Sequence, residues 1–350
     1  MESFVEFVQS MLANPLLTLS MLLVAGTIFV NGATDAANAI AEAVGTRSIT
    51  FRGAVCMAAA CNFAGLVGSA VVSTAVAATI ENMVDFGGDS RAALIALCAA
   101  MVGIVVWASV AWMFGIPTSE SHALIAGLTG AAIALQGGIG GINWAEWQKV
   151  LWGLVLSTVA GFAMGFGLTA LIRELWAFAE PRRANRLFGG LQVVGAGFGA
   201  LMHGAQDGQK FLATAMLARQ LAIGLKVSED VGYPLWLMLA CALLMAAGTA
   251  VGGPKIVRTV GSDMVQMERY QGAAASLTAG VSLLAATLGG LPVSTTHTKT
   301  ASIMGAGAAK NPRSVNWRIA KDMLLAWLLT FPGCGLIGYV LARVFLATMA

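Results

Sequence analysis

Long apolar runs separated by short polar loops make up most of the chain. Five runs lie in each half, and most reach the roughly 20 residues that a membrane-spanning helix needs. The runs are continuous, whereas strands of a membrane barrel alternate apolar and polar residues, so the pattern predicts helices. The runs cover about residues 16–44, 53–80, 92–114, 118–136, 149–172, 187–218, 234–252, 270–290, 293–309 and 319–346.

Two pairs of runs depart from simple spans. The runs at 16–44 and 187–218 are too long for one crossing and carry an Asp in the middle, so we expect each helix to be broken or tilted. The runs at 118–136 and 293–309 are short and begin at clusters of hydroxyl side chains. The pattern leaves open whether these two cross the membrane or re-enter it.

Composition supports a polytopic helical membrane protein. The chain is 58% hydrophobic and 11% charged, whereas about 25% of residues in a soluble domain are charged. The 42 glycines suit close helix packing in lipid. The five cysteines lie in apolar runs, where we expect them to pack. Residues 1–14 lack the basic flank of a cleavable signal peptide, and nothing in the composition indicates nucleic-acid binding.

Four polar motifs interrupt the apolar runs, and each of two kinds occurs once in each half. Asp207 lies 172 residues after Asp35, and His297 lies 175 residues after His122. For both kinds of motif, the first-half and second-half copies are therefore separated by nearly the same distance, about half the chain. This repeat indicates an internal duplication. The acidic motifs are Gly32–Asp35 and Gly204–Asp207, and the hydroxyl motifs are Pro117–His122 and Pro292–His297.

The duplication predicts two inverted repeats, residues 1–178 and 179–350. Each has five runs, and an odd number of crossings inserts the second repeat upside down. With the N-terminus outside, 13 Lys and Arg residues fall in inner loops and 4 in outer loops, as the positive-inside rule requires. Both termini are therefore predicted on the outer side of the plasma membrane. The outer four are Arg91, Lys149, Arg219 and Lys226.

A polar stripe follows each of the two long helices that carry an Asp. Its members recur at spacings of 4, 3 and 4 residues, which places them on one helix face. A carboxylate inside a membrane faces a cavity or a partner, and with amide oxygens it suits a small cation or a proton. The alternative is a buried Asp–Lys pair that only fixes packing, and for Glu42 a solvated helix end. The stripes are Asn31, Asp35, Asn38 and Glu42, and His203, Asp207, Lys210 and Thr214.

The hydroxyl motifs predict two helix starts. Proline favours the first helical turn, and Ser or Thr favours the cap. Free N–H groups and the positive end of the helix dipole bind anions there, so two starts face to face would grip one tetrahedral oxyanion. The alternative is that the hydroxyls only cap helices and satisfy the backbone.

These motifs resemble the signatures of the inorganic phosphate transporter (PiT) family. Gly32–Ala39 with Gly45 and Thr46 resembles the first signature, and His203–Lys210 resembles the second. The two hydroxyl motifs resemble the paired Pro-x-Ser-x-x-His elements of that family. Further similarity at Asn62–Gly65 and from Trp327 onward extends the resemblance over nearly the whole chain, and it is closest to the bacterial low-affinity branch.

The resemblance implies a secondary active symporter that imports inorganic phosphate with Na⁺ or H⁺, in some bacterial members as a neutral metal–phosphate complex. It implies a homodimer, and no cofactor besides the coupling ion. The implied phosphate ligands are Thr118, Ser119, Ser121, Ser294, Thr295 and Thr296. The implied coupling-cation residues are Asp35 and Asp207, which would bind Na⁺ if sodium is used, with Asn31, Asn38 and Gln206. On this basis we expect Asp207→Asn to abolish coupled uptake in a folded protein.

The motifs also depart from the family pattern. Thr34 and Gln206 precede the two Asp residues, Glu120 stands where a hydroxyl is usual, and Lys299 stands where an apolar residue is common. A carboxylate in an anion site repels phosphate unless it is protonated, paired or bound to a cation. We therefore hypothesise that Glu120 and Lys299 form an ion pair, or that Lys299 replaces one coupling cation. Lys210 is a further candidate for tuning the site.

The histidines admit two interpretations. We expect His122 and His297 to hydrogen-bond neighbouring helices, and a proton-sensing role is the alternative. His203 is open to both. The three lie in separate segments without metal-ligand spacing, which disfavours a histidine metal site.

Other functions are a transporter of another oxyanion such as sulfate, an anion channel, or an intramembrane hydrolase. The chain has no Gly-x-Ser-x-Gly elbow and no Walker-type loop. The sequence therefore predicts a transporter, not an enzyme.

Overall fold

The computed structural model describes residues 3–114, 116, 118–224 and 232–349, and for residues 70 and 71 it describes the backbone alone. The predicted helix-starting role of Pro117 and the predicted outer position of Lys226 lie outside the described residues. The described part of the chain consists of helices and their connections, with no strand.

The described residues of the first half form eight helices, and local sequence sets where several begin. Ser3 accepts a hydrogen bond from the backbone N–H of Glu6, and Asn14 accepts from the first N–H groups of the next helix, where Pro15 suits the first turn. The helices are α1 (Phe4–Ala13), α2 (Pro15–Thr34), α3 (Ala36–Gly45), α4 (Phe51–Val72), α5 (Ala75–Glu81), α6 (Ser90–Phe114), α7 (Glu120–Gln136) and α8 (Trp144–Leu175).

The described residues of the second half form six helices. Of these, α11 continues into a π-helical turn over Thr259–Asp263, and this unit bends by 65° from α10. The helices are α9 (Pro181–Ala222), α10 (Leu235–Val251), α11 (Pro254–Arg258), α12 (Arg269–Leu288), α13 (Thr295–Lys310) and α14 (Trp317–Met349).

All ten predicted runs coincide with helices. Among the described residues, seven helical stretches are long and apolar enough to cross a membrane, or eight if the bent pair counts as one span. The polytopic all-α fold is confirmed. The helices α7 and α13 have 17 and 16 residues, fewer than the roughly 20 of a full crossing.

The predicted breaks occur in one of the two long runs. The first run is interrupted at Asp35, which ends α2 and precedes α3. The sixth run is the continuous 42-residue helix α9, so of the two predicted alternatives, a break or a tilt, the break is absent there. The second run divides into α4 and α5, which the hydrophobic pattern does not indicate. Hydropathy cannot distinguish a broken helix from a continuous one when both halves are apolar.

Helix α9 occupies the centre of the bundle, whereas α8 and α14 lie at its edge. Within their most apolar windows, 61% of the α9 stretch is buried and 22% of each of the other two. Apolar side chains on the edge helices face outward, where lipid covers them, and the polar stripe of α9 is buried inside. Asp207 and its neighbours on α9 therefore lie on a helix that is largely removed from lipid.

The helix packing repeats when the two halves are exchanged. The first-half helix α4 packs on α9, and α2 packs on α10; likewise α7 packs on α14, and α8 packs on α13. Two isolated bridges, Val84 to Ile142 and Val265 to Val315, also recur once in each half. The halves are thus interleaved, and helices of both contribute to the centre.

Glycines allow the closest of these approaches. A methyl group at Gly65 of α4 would overlap the carbonyl oxygen of Leu201 on α9, and one at Gly204 of α9 would overlap the backbone at Asn62 on α4. Small residues at such contacts let helices approach backbone to backbone. This contact positions the part of α9 that carries Asp207.

We expect Gly65→Ala to destabilise the protein by about 1–3 kcal/mol, because the added methyl group overpacks the contact of α4 with α9. Gly68→Ala, three residues further on the same helix with nothing within 4 Å of the added methyl, is the matched control. That change is expected to be neutral or stabilising by up to about 1 kcal/mol. Unfolding of both variants in detergent measures the difference, and equal stabilities would refute the close contact.

Candidate transport site

The two acidic motifs meet at the centre of the bundle. Asp35, at the break between α2 and α3, and Asp207, in the middle of α9, are both buried. One ligand atom from each of Asp35, Asp207 and His203 lies within 4.8 Å of the others. Residues far apart in sequence thus form one cluster of acceptor atoms, and His203 joins it although its role was open from the sequence.

Each hydroxyl motif forms the start of a helix. Ser119 caps α7 by accepting a hydrogen bond from the backbone N–H of His122 at 3.3 Å, and Ser294 caps α13 by accepting from His297 N–H at 3.2 Å. Thr118 lies buried just before the first cap. Capping, the alternative to anion binding, thus describes what the hydroxyls of Ser119 and Ser294 do here.

Other hydroxyls of these motifs reach the two buried carboxylates, and two of them do so across the halves. Thr296 Oγ1, in the second half, donates to Asp35 Oδ1 at 2.9 Å, and Ser121 Oγ, in the first half, donates to Asp207 Oδ1 at 3.1 Å. Thr295 Oγ1 donates to Asp207 Oδ2 at 3.1 Å. The hydroxyl donors and the carboxylates therefore form two hydrogen-bonded units, one around each Asp, and each unit joins the two halves.

Each of these units has a further donor. Asn38 Nδ2 donates to Thr296 Oγ1 at 3.0 Å, and Lys210 Nζ donates to Ser121 Oγ at 2.7 Å. Lys210 also lies 2.7 Å from Asp207 Oδ1, and both side chains are fully buried. The buried Asp–Lys pair that the sequence allowed as an alternative is therefore present.

The hypothesised ion pair between Glu120 and Lys299 is wrong. Glu120 accepts from the hydroxyl of Thr34, and it lies next to the Asp35 carboxylate. Lys299 Nζ instead lies 2.5 Å from Glu42 Oε1, so its charge is balanced by Glu42 and not by Glu120. The pairing could not be predicted because helical periodicity shows on which face of its helix a residue lies, but not which other helix packs against that face.

Glu42 is fully buried, so its interpretation as a solvated helix end is wrong. It pairs with Lys299 of α13 and accepts from the hydroxyl of Ser276 on α12. The sequence did contain a signal for the buried position of Glu42, because this residue belongs to the polar stripe of Asp35 and lies one turn beyond Asn38. This ion pair lies beside the site, since Lys299 and Asp35 border the same small cavity.

The amide side chains predicted to bind the coupling cation have different hydrogen-bond partners. Asn31 Nδ2 lies 3.5 Å from Asp207 Oδ2, and Gln206 Nε2 donates to the carbonyl oxygen of Leu291 at 3.0 Å. Four buried oxygen atoms of the acidic and hydroxyl motifs and their polar stripes are among those with no hydrogen-bond partner in the described residues: Asn31 Oδ1, Asn38 Oδ1, Glu120 Oε2 and Gln206 Oε1. Buried polar atoms are rarely left unpaired, and hard cations take such oxygen ligands, so the donor set fits a small cation.

The hydrogen bonds expected of His122 and His297 are not present. Their four ring nitrogens have no partner among the described residues. The two rings contact each other edge to face at 4.6 Å, and each stacks on an aromatic ring of α14: His122 on Phe331 at 4.6 Å and His297 on Trp327 at 3.6 Å. The two helix starts are thus packed together through aromatic contacts.

His203 is held differently. Its Nδ1 lies 2.9 Å from Asn62 Oδ1, whose amide nitrogen donates to Thr249 Oγ1 at 2.9 Å. The other ring nitrogen, Nε2, lies 3.4 Å from Asp207 Oδ2. Asn62 thereby orients His203 toward the acidic cluster, which sequence spacing did not reveal.

Buried carboxylates and two opposed helix starts inside a polytopic bundle define a membrane transport protein. The chain matches the model of the phosphate transporter family over residues 31–338. It belongs to that family, whose members are transporters and not enzymes, and the predicted resemblance and function in phosphate transport are confirmed.

Known proteins agree with this assignment. The chain is 34% identical over 328 residues to a probable low-affinity inorganic phosphate transporter of Bacillus subtilis, covering 93% of this chain and 96% of the relative. It is 36% identical over 312 residues to a protein of the same description from Rhizobium meliloti, covering 88% and 90%. A solved structure described as the sodium-dependent phosphate transporter shares the fold, with a TM-score of 0.82 at 21% identity over 96% of this chain and 100% of that chain.

Proposed function

We propose that this protein is a secondary active symporter of the plasma membrane that imports inorganic phosphate with Na⁺ or H⁺. The observation that carries the proposal is the bonding of Ser121, Thr295 and Thr296 to the two buried carboxylates. Groups suited to an anion and groups suited to a cation are directly connected. Binding of one ion therefore changes the site offered to the other.

The hydroxyl groups supply the coupling. A hydroxyl has one proton, so Thr296 cannot donate to phosphate while it donates to Asp35. A cation or a proton on Asp35 competes for the carboxylate oxygen and releases that hydroxyl. The charge it brings also lowers the repulsion between the carboxylates and phosphate. Cation binding thus prepares the site for phosphate.

Phosphate would bind between the two helix starts. The backbone N–H groups and dipoles of α7 and α13 favour an anion there, and the released hydroxyls add donors. The proposed ligands are Thr118, Ser119, Ser121, Ser294, Thr295 and Thr296. The coupling cation would bind the carboxylates Asp35 and Asp207 with the amide oxygens of Asn31, Asn38 and Gln206, and His203 is added to this set by its position.

The proposed repeats, 1–178 and 179–350, would move the site between the two sides of the membrane. The recurrence of the helix contacts when the halves are exchanged supports an inverted duplication. The bias of basic loop residues supports termini on the outer side. The family resemblance supports a homodimer. A solved structure of this fold is described as sodium-dependent, which favours Na⁺ as the first ion to test.

Reconstitution tests the function directly. Radiolabelled phosphate uptake into proteoliposomes is expected to rise when an inward Na⁺ or H⁺ gradient is imposed, with each gradient applied in turn. Excess unlabelled phosphate should compete and sulfate should not. Phosphate uptake that is unchanged by either gradient would support a channel. Competition by sulfate as strong as that by phosphate would support a general oxyanion transporter.

Thr296→Ala is expected to raise the KM for phosphate about 10–100-fold, because a hydrogen bond to a charged group contributes about 1.5–3 kcal/mol. Thr298→Ala is the matched control on the same helix, since its hydroxyl donates only to the carbonyl oxygen of Ser294 at 2.9 Å. An unchanged KM in Thr296→Ala, measured by initial rates of uptake, would remove this residue from the site.

A further inference from the structure

The two sides of the site use the same hydrogen-bond plan with one different residue. Asn38 lies three residues after Asp35, and Lys210 lies three residues after Asp207. Asn38 donates to the Thr296 hydroxyl, which donates to Asp35. Lys210 donates to the Ser121 hydroxyl, which donates to Asp207. A neutral amide on one side thus corresponds to an ammonium group on the other.

The charges of the two sides differ as a result. On the Asp207 side, the carboxylate has the Lys210 ammonium at 2.7 Å. On the Asp35 side, Glu120 adds a second carboxylate next to Asp35, and neither forms an ion pair with a base among the described residues. One side is neutral by itself, and the other carries excess negative charge whenever its carboxyl groups are ionised.

Lys210 is bound as a metal ion would be. Its Nζ contacts three oxygens of different types: Asp207 Oδ1 at 2.7 Å, Ser121 Oγ at 2.7 Å and the carbonyl of Val293 at 2.6 Å. Carboxylate, hydroxyl and carbonyl oxygens are the ligands of hard cations. An ammonium group has three N–H donors, so all three are used within the protein.

Most of the unpaired oxygens of the site lie on the other side, and only Gln206 Oε1 among the described residues lies beside Asp207. Asn31 Oδ1, Asn38 Oδ1 and Glu120 Oε2 are buried without a hydrogen-bond partner among the described residues, and Asn38 borders the small cavity beside Asp35. Since a buried acceptor without a partner is costly, these atoms provide ligands that a mobile cation would satisfy. The Lys210 ammonium already satisfies the equivalent position next to Asp207.

We propose that Lys210 is a resident cation that fills one of two matching cation positions. This narrows the cation set proposed above, because mobile coupling cations then load only on the Asp35 side. The inference rests on the proposed cation-coupled symport and specifies its stoichiometry. A lysine moves with the protein and returns with it, so it offsets charge without drawing on the ion gradient. The number of cations carried per phosphate is therefore one fewer than two equivalent sides would give.

Lys210→Asn tests this by making the Asp207 side match the Asp35 side. The number of cations carried per phosphate is obtained from the ion gradient and voltage at which net radiolabelled phosphate flux through proteoliposomes reverses. The ratio is expected to rise by about one in Lys210→Asn, because a buried carboxylate requires a counter-charge. Lys210→Arg, which keeps the charge, is the control and should retain the wild-type ratio.

An active Lys210→Asn variant with the wild-type ratio would overturn the inference. A raised KM for phosphate at constant ratio would also overturn it, and would make Lys210 a phosphate ligand instead. Wild-type protein without gradient-driven uptake is a different result, which would refute the proposed symport.

Asn38→Lys provides a reciprocal variant that does not depend on the folding of Lys210→Asn. It places a base on the Asp35 side and is expected to lower the number of cations per phosphate. For variants that fold but do not transport, equilibrium binding of ²²Na⁺ and proton uptake by the purified protein count the cations per chain. A count equal to that of the wild type in both variants would overturn the inference.

Discussion

Asp35→Asn is expected to abolish gradient-driven phosphate uptake while leaving the protein folded. Asp35 has no Lys or Arg partner in the part of the chain that the structure describes, and it accepts a hydroxyl hydrogen bond from Thr296 that an amide oxygen can also accept. Removing its charge removes the counter-charge for a mobile cation, so the site no longer responds to the gradient. Uptake in proteoliposomes with and without the gradient measures the effect, and size-exclusion chromatography measures folding.

Asp207→Asn is the informative comparison. The sequence predicts a folded but uncoupled protein for this change, and the structure alters the expectation. Asp207 is the counterion of the buried Lys210, and removing one partner of a buried ion pair costs about 3–5 kcal/mol. Loss of stability in Asp207→Asn but not in Asp35→Asn would fit these environments. Wild-type-like, gradient-dependent uptake by Asp35→Asn would contradict the proposed role of Asp35.

The second large effect concerns the buried ion pair of Glu42 and Lys299. Lys299→Met is expected to destabilise the protein by about 3–5 kcal/mol, because it leaves the Glu42 carboxylate buried without a counter-charge. The double variant Glu42→Gln, Lys299→Met is expected to recover most of this loss, since neither charge remains. The free energy of unfolding in mixed micelles measures both.

An exposed ion pair provides the control for that measurement. Lys310 and Glu268 are paired with side-chain exposures of 46% and 57%, and Lys310→Met is expected to change stability by about 1 kcal/mol or less. If the buried and exposed Lys→Met changes have equal effects, or if the double variant is as unstable as Lys299→Met, the Glu42–Lys299 pair does not contribute as proposed.

The local helix starts could be predicted because their causes are local. Ser119 and Ser294 bond to N–H groups three residues away in sequence, so residue type and position are sufficient evidence. The long apolar runs likewise depend only on composition along the chain. The break after α4 and the continuity of α9 could not be predicted from local sequence, because they depend on neighbouring helices rather than on local hydropathy.

The charge partners could not be predicted in the same way. Glu42 and Lys299 are 257 residues apart, and helical periodicity places each on a face without identifying the helix opposite. The same reason explains the wrong pairing of Glu120 with Lys299 and the missed contact of His203 with Asn62. Each depends on the relative rotation and depth of two packed helices.

By itself, the sequence determined the class of protein: a helical membrane bundle with duplicated acidic and hydroxyl motifs that belongs to a transporter family. It did so because lipid requires long apolar helices and makes every buried polar residue conspicuous. The tertiary structure alone decided which charges are balanced. It assigned Lys210 to Asp207 and Lys299 to Glu42, and it left Asp35 beside Glu120 without a Lys or Arg partner among the described residues. Charge balance depends on distances of a few ångströms between distant segments.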